Sequence, residues 1–567
     1  MPTLRDAVAV RMAAALETCG LEADPGVSAA SDARFGDYQS NAAMVLAKAR
    51  RENPRALAAR IAEAFDGGGV CPAPEIAGAG FLNFRIGDDA LAGHLGAMAA
   101  DARLGLQPVA DPLTIVLDFS SPNVAKPMHI GHIRSTILGD CLARVARALG
   151  HRVITDNHIG DWGTQFGKVI YGWKNLLDRE ALEAGAIAEL VRLYREVTAR
   201  EAADPAVARA ARDELVKLQS GDPENLAIWR SCVEHSWAEF EKLYKLLGVE
   251  FDERLGESAY NEALAPLCER LENAGIAEVS EGALCIFFRD IPDLAEKPAI
   301  VRKADGGFLY ATTDLATIEY RAERWNPDEI WYVVGAPQTL HFRQIFEAAR
   351  RLSVRATLRH IPFGSILGED RKIMKTRSGE NVGLSDVLDE ALARARAIIA
   401  EKNPSMEPAE REEAARIVGT GAVKYAELSQ HRMTDYVFSW DKMLAFHGNT
   451  APYLQNASVR IRSIFRKAGC GAPAVPPAVG HPAERALALH IARYPETVPA
   501  ILEDFRPNLL ANFLFELAEK FHAFYEACPV LKAPDGEREA RLALCGLAGR
   551  TLAAGLGLMG IRCPERM

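Results

Sequence analysis

Residues 113–156 constrain the fold more than any other stretch of this chain. Leu113-Thr-Ile-Val-Leu-Asp-Phe119 is a short apolar run rich in β-branched residues, the pattern of a strand buried on both faces. Pro122 and Pro127 bracket a loop that a helix cannot easily enter. Beyond it Ile133, Ile137, Leu138, Cys141, Leu142, Val145 and Leu149 recur at helical spacing, and Gly150 supplies a stop. His151-Arg-Val-Ile-Thr-Asp156 then reads as a second strand. Strand, helix and strand in this order are the seed of a parallel, doubly wound α/β sheet.

Strand-like runs return at Ala299-Ile-Val-Arg302, Phe308-Leu-Tyr310, Ile330-Trp-Tyr-Val-Val334 and His360-Ile-Pro-Phe363. Residues 174–290 between them are mainly helical in pattern, with polar faces and few strand signals. The simplest organisation is one sheet, with halves at 109–173 and 291–440, interrupted by a helical insertion at 174–290. The first 108 residues mix helical patterns with a strand-like Gly80-Phe-Leu-Asn-Phe-Arg85 and predict an α+β domain. Residues 441–567 are helical almost throughout, with a loop from Gly469 to Pro482, and predict an all-α domain. A length of 567 residues suits several domains at roughly 150 residues each.

Hydrophobic residues at 49% and charged residues at 25% exclude disordered, collagen-like and coiled-coil classes. The apolar run Leu552 to Ile561 is too short to span a bilayer, and Leu4, Val8, Met12 and Leu16 form an amphipathic pattern rather than a signal peptide. A cytoplasmic protein with no membrane partner is expected. The ten cysteines include no C-x-x-C pair, so the usual zinc-knuckle and thioredoxin spacings are absent and no structural zinc is expected. A tightly bound cofactor is not expected either. The formal charge of −10 argues weakly against a polyanionic partner until it is mapped. Residues 171–290 carry 14 Lys/Arg against 24 Asp/Glu, which is −10, whereas residues 441–567 carry 15 against 12, which is +3. The acidity belongs to the insertion.

Two constellations carry chemistry. Ser121-Pro-Asn-Val-Ala-Lys-Pro-Met-His-Ile-Gly-His132 joins the first strand to its helix, placing His129 and His132 at the helix N-terminus with Gly131 between them. Free N–H groups and the helix dipole favour an anion there, and two imidazole donors can hold a triphosphate. Gly131, lacking a Cβ, lets an adenine ring lie against the backbone, and Lys126 adds a point charge. The second is Phe363-Gly-Ser-Ile-Leu-Gly-Glu-Asp-Arg-Lys-Ile-Met-Lys-Thr-Arg-Ser-Gly379, in which Lys372, Lys375 and Arg377 occupy a Gly-flanked loop. Such a loop can neutralise a pyrophosphate leaving group.

These residues resemble the class I aminoacyl-tRNA synthetases, and within them the arginyl family, over essentially the whole chain. His129-Ile-Gly-His132 matches the HIGH motif, and Met374-Lys-Thr-Arg-Ser378 stands where the family has its KMSKS loop. Asp118-Phe-Ser-Ser-Pro-Asn-Val-Ala-Lys126 and Gly160-Asp-Trp-Gly-Thr-Gln-Phe-Gly167 are the most specific matches. Others are Tyr310-Ala-Thr-Thr-Asp314, Gln338-Thr-Leu-His341, Gly448-Asn-Thr-Ala-Pro-Tyr-Leu-Gln455, Phe35-Gly-Asp-Tyr-Gln-Ser-Asn41 and Gly80-Phe-Leu-Asn-Phe84. Two positions depart: Arg377 or Ser378 falls where a second lysine is usual, and Asn456 where an aromatic is expected. By the resemblance Lys126 compensates for the missing lysine.

The resemblance implies an arginine–tRNA ligase using L-arginine, ATP with Mg²⁺ as a substrate complex, and tRNA(Arg), expected to act as a monomer. Lys126, His129, Gly131, His132, Lys375 and Arg377 are then the catalytic set. His129, Gly131, His132, His341, Met374 and Lys375 would bind ATP. Asp118, Tyr310 and Asp314 would hold the arginine side chain, while Ser120, Asn123 and Gln338 complete its pocket. A guanidinium is planar and rich in donors, so it calls for carboxylates in a fixed geometry. His158, Trp162 and Gln165 read as scaffolding, and His341 either reaches the substrate or orders the sheet edge.

Phe35 and Asn41 in the N-terminal domain are expected to meet the tRNA elbow, and Tyr453 and Arg460 in the last domain its anticodon loop. Aromatics Tyr436, Phe438, Trp440 and Phe446 precede a basic cluster of Arg460, Arg462, Arg466 and Lys467. Aromatic stacking with basic phosphate contacts is how single-stranded RNA loops are held.

Overall fold

The computed structural model describes residues 1–368, 370–372, 374 and 382–567. The strand–helix–strand unit forms as expected: β1 (Thr114–Asp118), α1 (Ile130–Ala148) and β2 (Arg152–Asp156). Later come α2 (Pro223–Leu247), α3 (Tyr310–Trp325), β3 (Glu329–Tyr332), α4 (Thr339–Arg351) and β4 (Thr357–His360). The four strands are parallel in the order β4-β3-β1-β2. Ile115, Val116 and Leu117 are fully buried, which is why this run carries no polar alternation. The helix α1 approaches the chain beyond β1 closely: a Cβ on Gly139 would lie 2.2 Å from the Phe119 ring. Because the chain runs from β1 to β2 and then returns to β3 on the other side, the strand order reverses beside β1. In open α/β sheets ligands bind at that reversal, outside the C-terminal strand ends.

Three expectations differ from what is observed, one of them only in its bounds: the strand expected at His360–Phe363 runs instead over Thr357–His360. Phe308-Leu-Tyr310 does not extend as a strand: Phe308 makes one bridge to Arg302, and Tyr310 already opens α3. Ala311, Leu315 and Ile318 bury a helical face there, and so short an apolar run cannot reveal its period. Residues near 280, where few strand signals stand out, form the antiparallel pair Ala277–Ser280 and Ala283–Ile286, joined to Ala299–Arg302. Glu281 and Gly282 both have positive φ (51° and 80°), the requirement of a two-residue hairpin turn.

Helices between residues 165 and 247 share a core with Val124, Ala125 and Ile159, in which Phe166, Ile170, Leu190, Leu193 and Cys232 are buried together. Further on, Ile366–Leu367 pairs in parallel with Tyr436–Val437, and α5 (Pro408–Leu428) lies between them in sequence. Residues 109–398 and 422–443 form one compact unit.

The second unit comprises residues 1–108, 399–421 and 444–567. Its N-terminal part is an antiparallel sheet ordered Val27–Ala29, Tyr38–Ser40, Phe81–Phe84, Glu75–Ala77. Its C-terminal part is helical and includes α6 (Ala451–Ala468) and α7 (Asn508–Ala527). The two parts are bound through buried polar groups: Arg485 donates to both oxygens of Asp37, and Tyr38 Oη to Glu496 at 2.8 Å. Among the described residues no helix is long and apolar enough to cross a membrane.

Candidate active site

The turn from β1 to α1 lies at the sheet reversal. Three of its residues that are not glycine occupy the left-handed region: Ser120 (φ 75°), Ser121 (φ 48°) and Ala125 (φ 60°). Such strain is held by its surroundings. The Ser120 N–H donates to Ser135 Oγ, and its hydroxyl bonds with Tyr244 and Thr136 at 2.8 Å each. Ser121 Oγ donates to Asp118 Oδ1, and its N–H to Asn157. Asn123 is exposed and folds over Gly160, where a Cβ would lie 2.4 Å from its Oδ1.

His129 is the N-cap of α1, a position where serine, threonine, aspartate or asparagine is usual. Its Nδ1 accepts the N–H of Gly131 at 3.1 Å, and His132 Nδ1 accepts the N–H of His129 at 3.1 Å. An imidazole nitrogen that accepts carries no proton, so each neutral ring bears its hydrogen on Nε2. Burial lowers the His132 pKa to about 3, with His129 adding to the effect, and burial lowers that of His129 too. Both rings are therefore neutral Nε2–H donors near pH 7. Gly131 is also closely approached by its neighbour: a Cβ there would lie 2.8 Å from His129 Cε1. Lys126 is exposed, with its Nζ 5.8 Å from the Tyr194 ring centre.

Across the reversal, α3 and α4 present a second group. Tyr310 and Asp314 fall one turn apart on α3, and His341 Nε2 is 2.5 Å from Asp314 Oδ2. The Tyr310 ring is exposed and 4.7 Å from that of His341. Gln338 is exposed just ahead of α4. Sequence reasoning did not single out Glu257, whose N–H donates to Ile159 O and whose carboxyl feels the charge of Asp314. Burial raises its pKa, Asp161 and Asp314 raise it further, and His158 opposes them. Asp161 is satisfied by the N–H and hydroxyl of Ser258. Glu257 sits in the short turn Glu257–Tyr260, and its sequence offers no periodicity that would mark it.

Asp118, expected to face an arginine ligand, is paired with the chain's own Arg321, whose Nη2 lies 2.6 Å from Asp118 Oδ2 and 2.8 Å from Asp156 Oδ2. Arg321 is fully buried, and full burial of arginine requires such pairing. The Ser120 hydroxyl is likewise committed to Tyr244 and Thr136 inside the protein. His158, Trp162 and Gln165 fall into local structure: His158 Nδ1 donates to Leu255 O and Trp162 Nε1 to Asn261. Gln165 lies over Gly163.

Lys375 and Arg377, with Thr376 and Ser378, lie outside the described residues. Met374 is described, and its N–H points to Ile366 O at 3.4 Å. On the far side Ile130 N–H donates to Val382 O and Leu384 N–H to Met128 O, each at 2.9 Å. Residues beyond the loop are thus bound to the histidine turn itself.

In the other unit, Tyr453 and Arg460 share one face of α6. The Tyr453 ring is 5.4 Å from His522, and Arg460 Nη1 is 3.1 Å from His522 Nδ1. Arg460, Arg466, Lys467, Asn456 and Tyr525 line a cavity of about 670 Å³. Arg462 is instead tied to Glu565 at 2.9 Å. Of the aromatics expected upstream, Tyr436, Phe438 and Trp440 belong to the sheet-bearing unit, where Phe438 is buried, and Phe446 belongs to the same unit as α6. Phe35 is exposed at the end of the short helical turn Ala33–Phe35, and Asn41 heads the helix Ala42–Arg50 without capping it through its side chain. Among the described residues no group of three or more His, Cys, Asp or Glu is placed to hold a metal ion.

A parallel doubly wound sheet whose first turn ends in paired histidines is the catalytic fold of the class I tRNA synthetases, and residues 97–440 match the family described as tRNA synthetases class I (R), catalytic domain. Residues 3–86 match the arginyl tRNA synthetase N terminal domain, and residues 454–567 the DALR anticodon binding domain. The chain belongs to the arginyl-tRNA synthetase family. It is 46% identical to an arginine–tRNA ligase of Thermobifida fusca over 94% of each chain, and 43% identical to that of Cellvibrio japonicus over all of both. Among solved structures it resembles the arginyl-tRNA synthetases of Plasmodium falciparum (TM-score 0.85, 26% identity) and Thermus thermophilus (TM-score 0.83, 27% identity), each covered in full.

Proposed function

We propose that the His129–His132 turn and the Asp314–Glu257 group form the two halves of one activation site, which joins L-arginine to AMP and passes it to tRNA(Arg). The observation that carries this reading is the pair of neutral Nε2–H donors locked by backbone amides at a helix N-terminus, at the strand-order reversal of the sheet. In the first step an oxygen of the arginine carboxylate attacks the α-phosphorus of ATP–Mg²⁺. The bond to the bridging oxygen breaks, and pyrophosphate leaves with that electron pair. The nucleophile is already ionised, so the step needs no proton acceptor. It needs donors where charge accumulates on phosphate oxygens, and neutral imidazoles fill that role without titrating.

His129 and His132 would stabilise the five-coordinate phosphorus, with Lys126, Lys375 and Arg377 on the departing pyrophosphate. Glu257, Asp314 and Tyr310 would receive the guanidinium, and Asn123 and Gln338 the α-amino and carboxylate groups. Asp118 would join the first three at the guanidinium while also holding Ser121 and α3. His341 would orient Asp314. In the second step a ribose hydroxyl of the terminal adenosine attacks the arginyl carbonyl and releases AMP. Phe35, Asn41, Tyr453 and Arg460 would contact tRNA. A cytoplasmic monomer suits this role.

The test is arginine-dependent ATP–pyrophosphate exchange, with and without tRNA. Exchange stimulated by arginine and by no other amino acid is the expected result. No exchange under either condition refutes the reading.

A further inference from the structure

We propose that Arg134 is a positioning residue that fixes the histidine end of α1 against the strand pair at the root of the signature loop. It lies two positions beyond His132 and is almost completely buried. Its Nε is 2.9 Å from Glu427 Oε2, at the end of α5, and its Nη1 donates to Thr434 O at 3.0 Å. The guanidinium stands 5.3 Å from the Tyr436 ring centre and 5.9 Å from that of Phe363. Tyr436 Oη donates to the other Glu427 oxygen. One side chain of α1 therefore grips a helix end, a backbone carbonyl and two aromatic rings.

What it grips leads to the loop. Tyr436–Val437 pairs in parallel with Ile366–Leu367, Tyr436 N–H donating to Ser365 O and Phe438 N–H to Leu367 O. Ile366 O in turn faces the Met374 N–H. The chain on the other side of the loop is bonded directly to Met128 and Ile130. Both approaches to the loop are thus referred to α1, one through its first residues and the other through Arg134.

The chemistry of the contact suits positioning better than cohesion. Removing two charges from water offsets much of their attraction, and apolar pairs of the same volume commonly hold a fold as well. A planar guanidinium sharing a carboxylate, a carbonyl and an aromatic face sets distance and angle together, which aliphatic contact does not. Donors that act on a transition state must be held to within about half an ångström, so a small rotation of this strand pair affects rate before it affects folding.

The inference rests on the reading of His129 and His132 as phosphate donors. Its test is ATP–pyrophosphate exchange and thermal unfolding of the full chain carrying Arg134→Met with Glu427→Leu, Tyr436→Phe alone, or Glu427→Gln alone. The double variant is expected to fold with a Tm near the parent's and to lose about 10–100-fold in kcat, with the arginine KM within about twofold. Tyr436→Phe is expected to lose about 3–10-fold, and Glu427→Gln, which keeps both hydrogen bonds, under about threefold. Full kcat in a folded double variant, or a loss matching the loss of folded protein, overturns the proposal. If the double variant does not fold, Tyr436→Phe decides alone: unchanged kcat refutes positioning. A parent without exchange refutes the donor reading instead, a result distinct from a loss confined to variants.

Discussion

Arg321 Nη2 lies 2.6 Å from Asp118 Oδ2, with neither side chain open to solvent. Asp118 and Asp156 are direct cross-strand partners at the C-terminal ends of β1 and β2, so two carboxylates would repel there without a cation between them. Arg321 belongs to α3, the helix that carries Tyr310 and Asp314. Arg321→Leu should destabilise the protein by about 3–5 kcal/mol, the cost of leaving buried charge uncompensated. Arg321→Lys should cost less, since an ammonium still supplies charge but not the fork. Urea unfolding midpoints check both, and a stable Arg321→Leu variant would contradict the arrangement.

Gly131→Ala should leave stability nearly unchanged, because the position is exposed and alanine favours helix. The added methyl would meet the His129 ring, so kcat/KM for ATP should fall at least ~10-fold. Steady-state exchange kinetics at varied ATP separate this from a folding defect.

Burial depresses the pKa of His132 to about 3, His490 to about 3 and His94 to about 4. Unfolded histidine takes up its proton near ~6.5, so between that pH and about 4 the unfolded chain binds more protons than the folded one. Stability is therefore full above ~6.5 and is lost as pH falls toward 4. Denaturation midpoints from pH 7.5 to 4.5 should show the decline. In the same window the ring signal of His132, assigned by its absence in His132→Gln, should not titrate in NMR spectra.

Glu257→Gln and Asp314→Asn should each raise the KM for arginine about 10–100-fold, the worth of a charge-assisted hydrogen bond, with the ATP KM within about twofold. An unchanged arginine KM would remove that residue from the pocket.

Arg460→Ala should weaken tRNA binding while lowering the slope of log K against log salt by about one, the signature of a lost phosphate contact. Binding measured across a salt series distinguishes this from loss of the Arg460–His522 contact alone, which would leave the slope intact.

The sheet was legible because its central strand is an unbroken apolar run and α1 repeats at helical spacing. The histidine pair was legible because it follows that strand at once. Arg321 was not: a basic residue on a helix reads as solvated, and only the meeting of α3 with two strand ends shows otherwise. Glu257 escaped notice for a related reason, being 57 positions from Asp314 in a turn with no pattern of its own. The same limit applies to Tyr436, whose place among aromatics near a basic cluster suggested RNA, while its strand pairing places it beside Arg134.

The left-handed residues between β1 and α1 have a consequence for how the site meets its nucleotide. Glycine would take those φ values without strain, but it would also leave the turn many other shapes. With serine, serine and alanine at positions 120, 121 and 125, few alternatives compete once the fold has imposed this one. On the proposed reading the phosphate cradle is a cast form rather than a moulding: ATP would find the amides and imidazoles already in register, and its binding energy would not be diverted into shaping them.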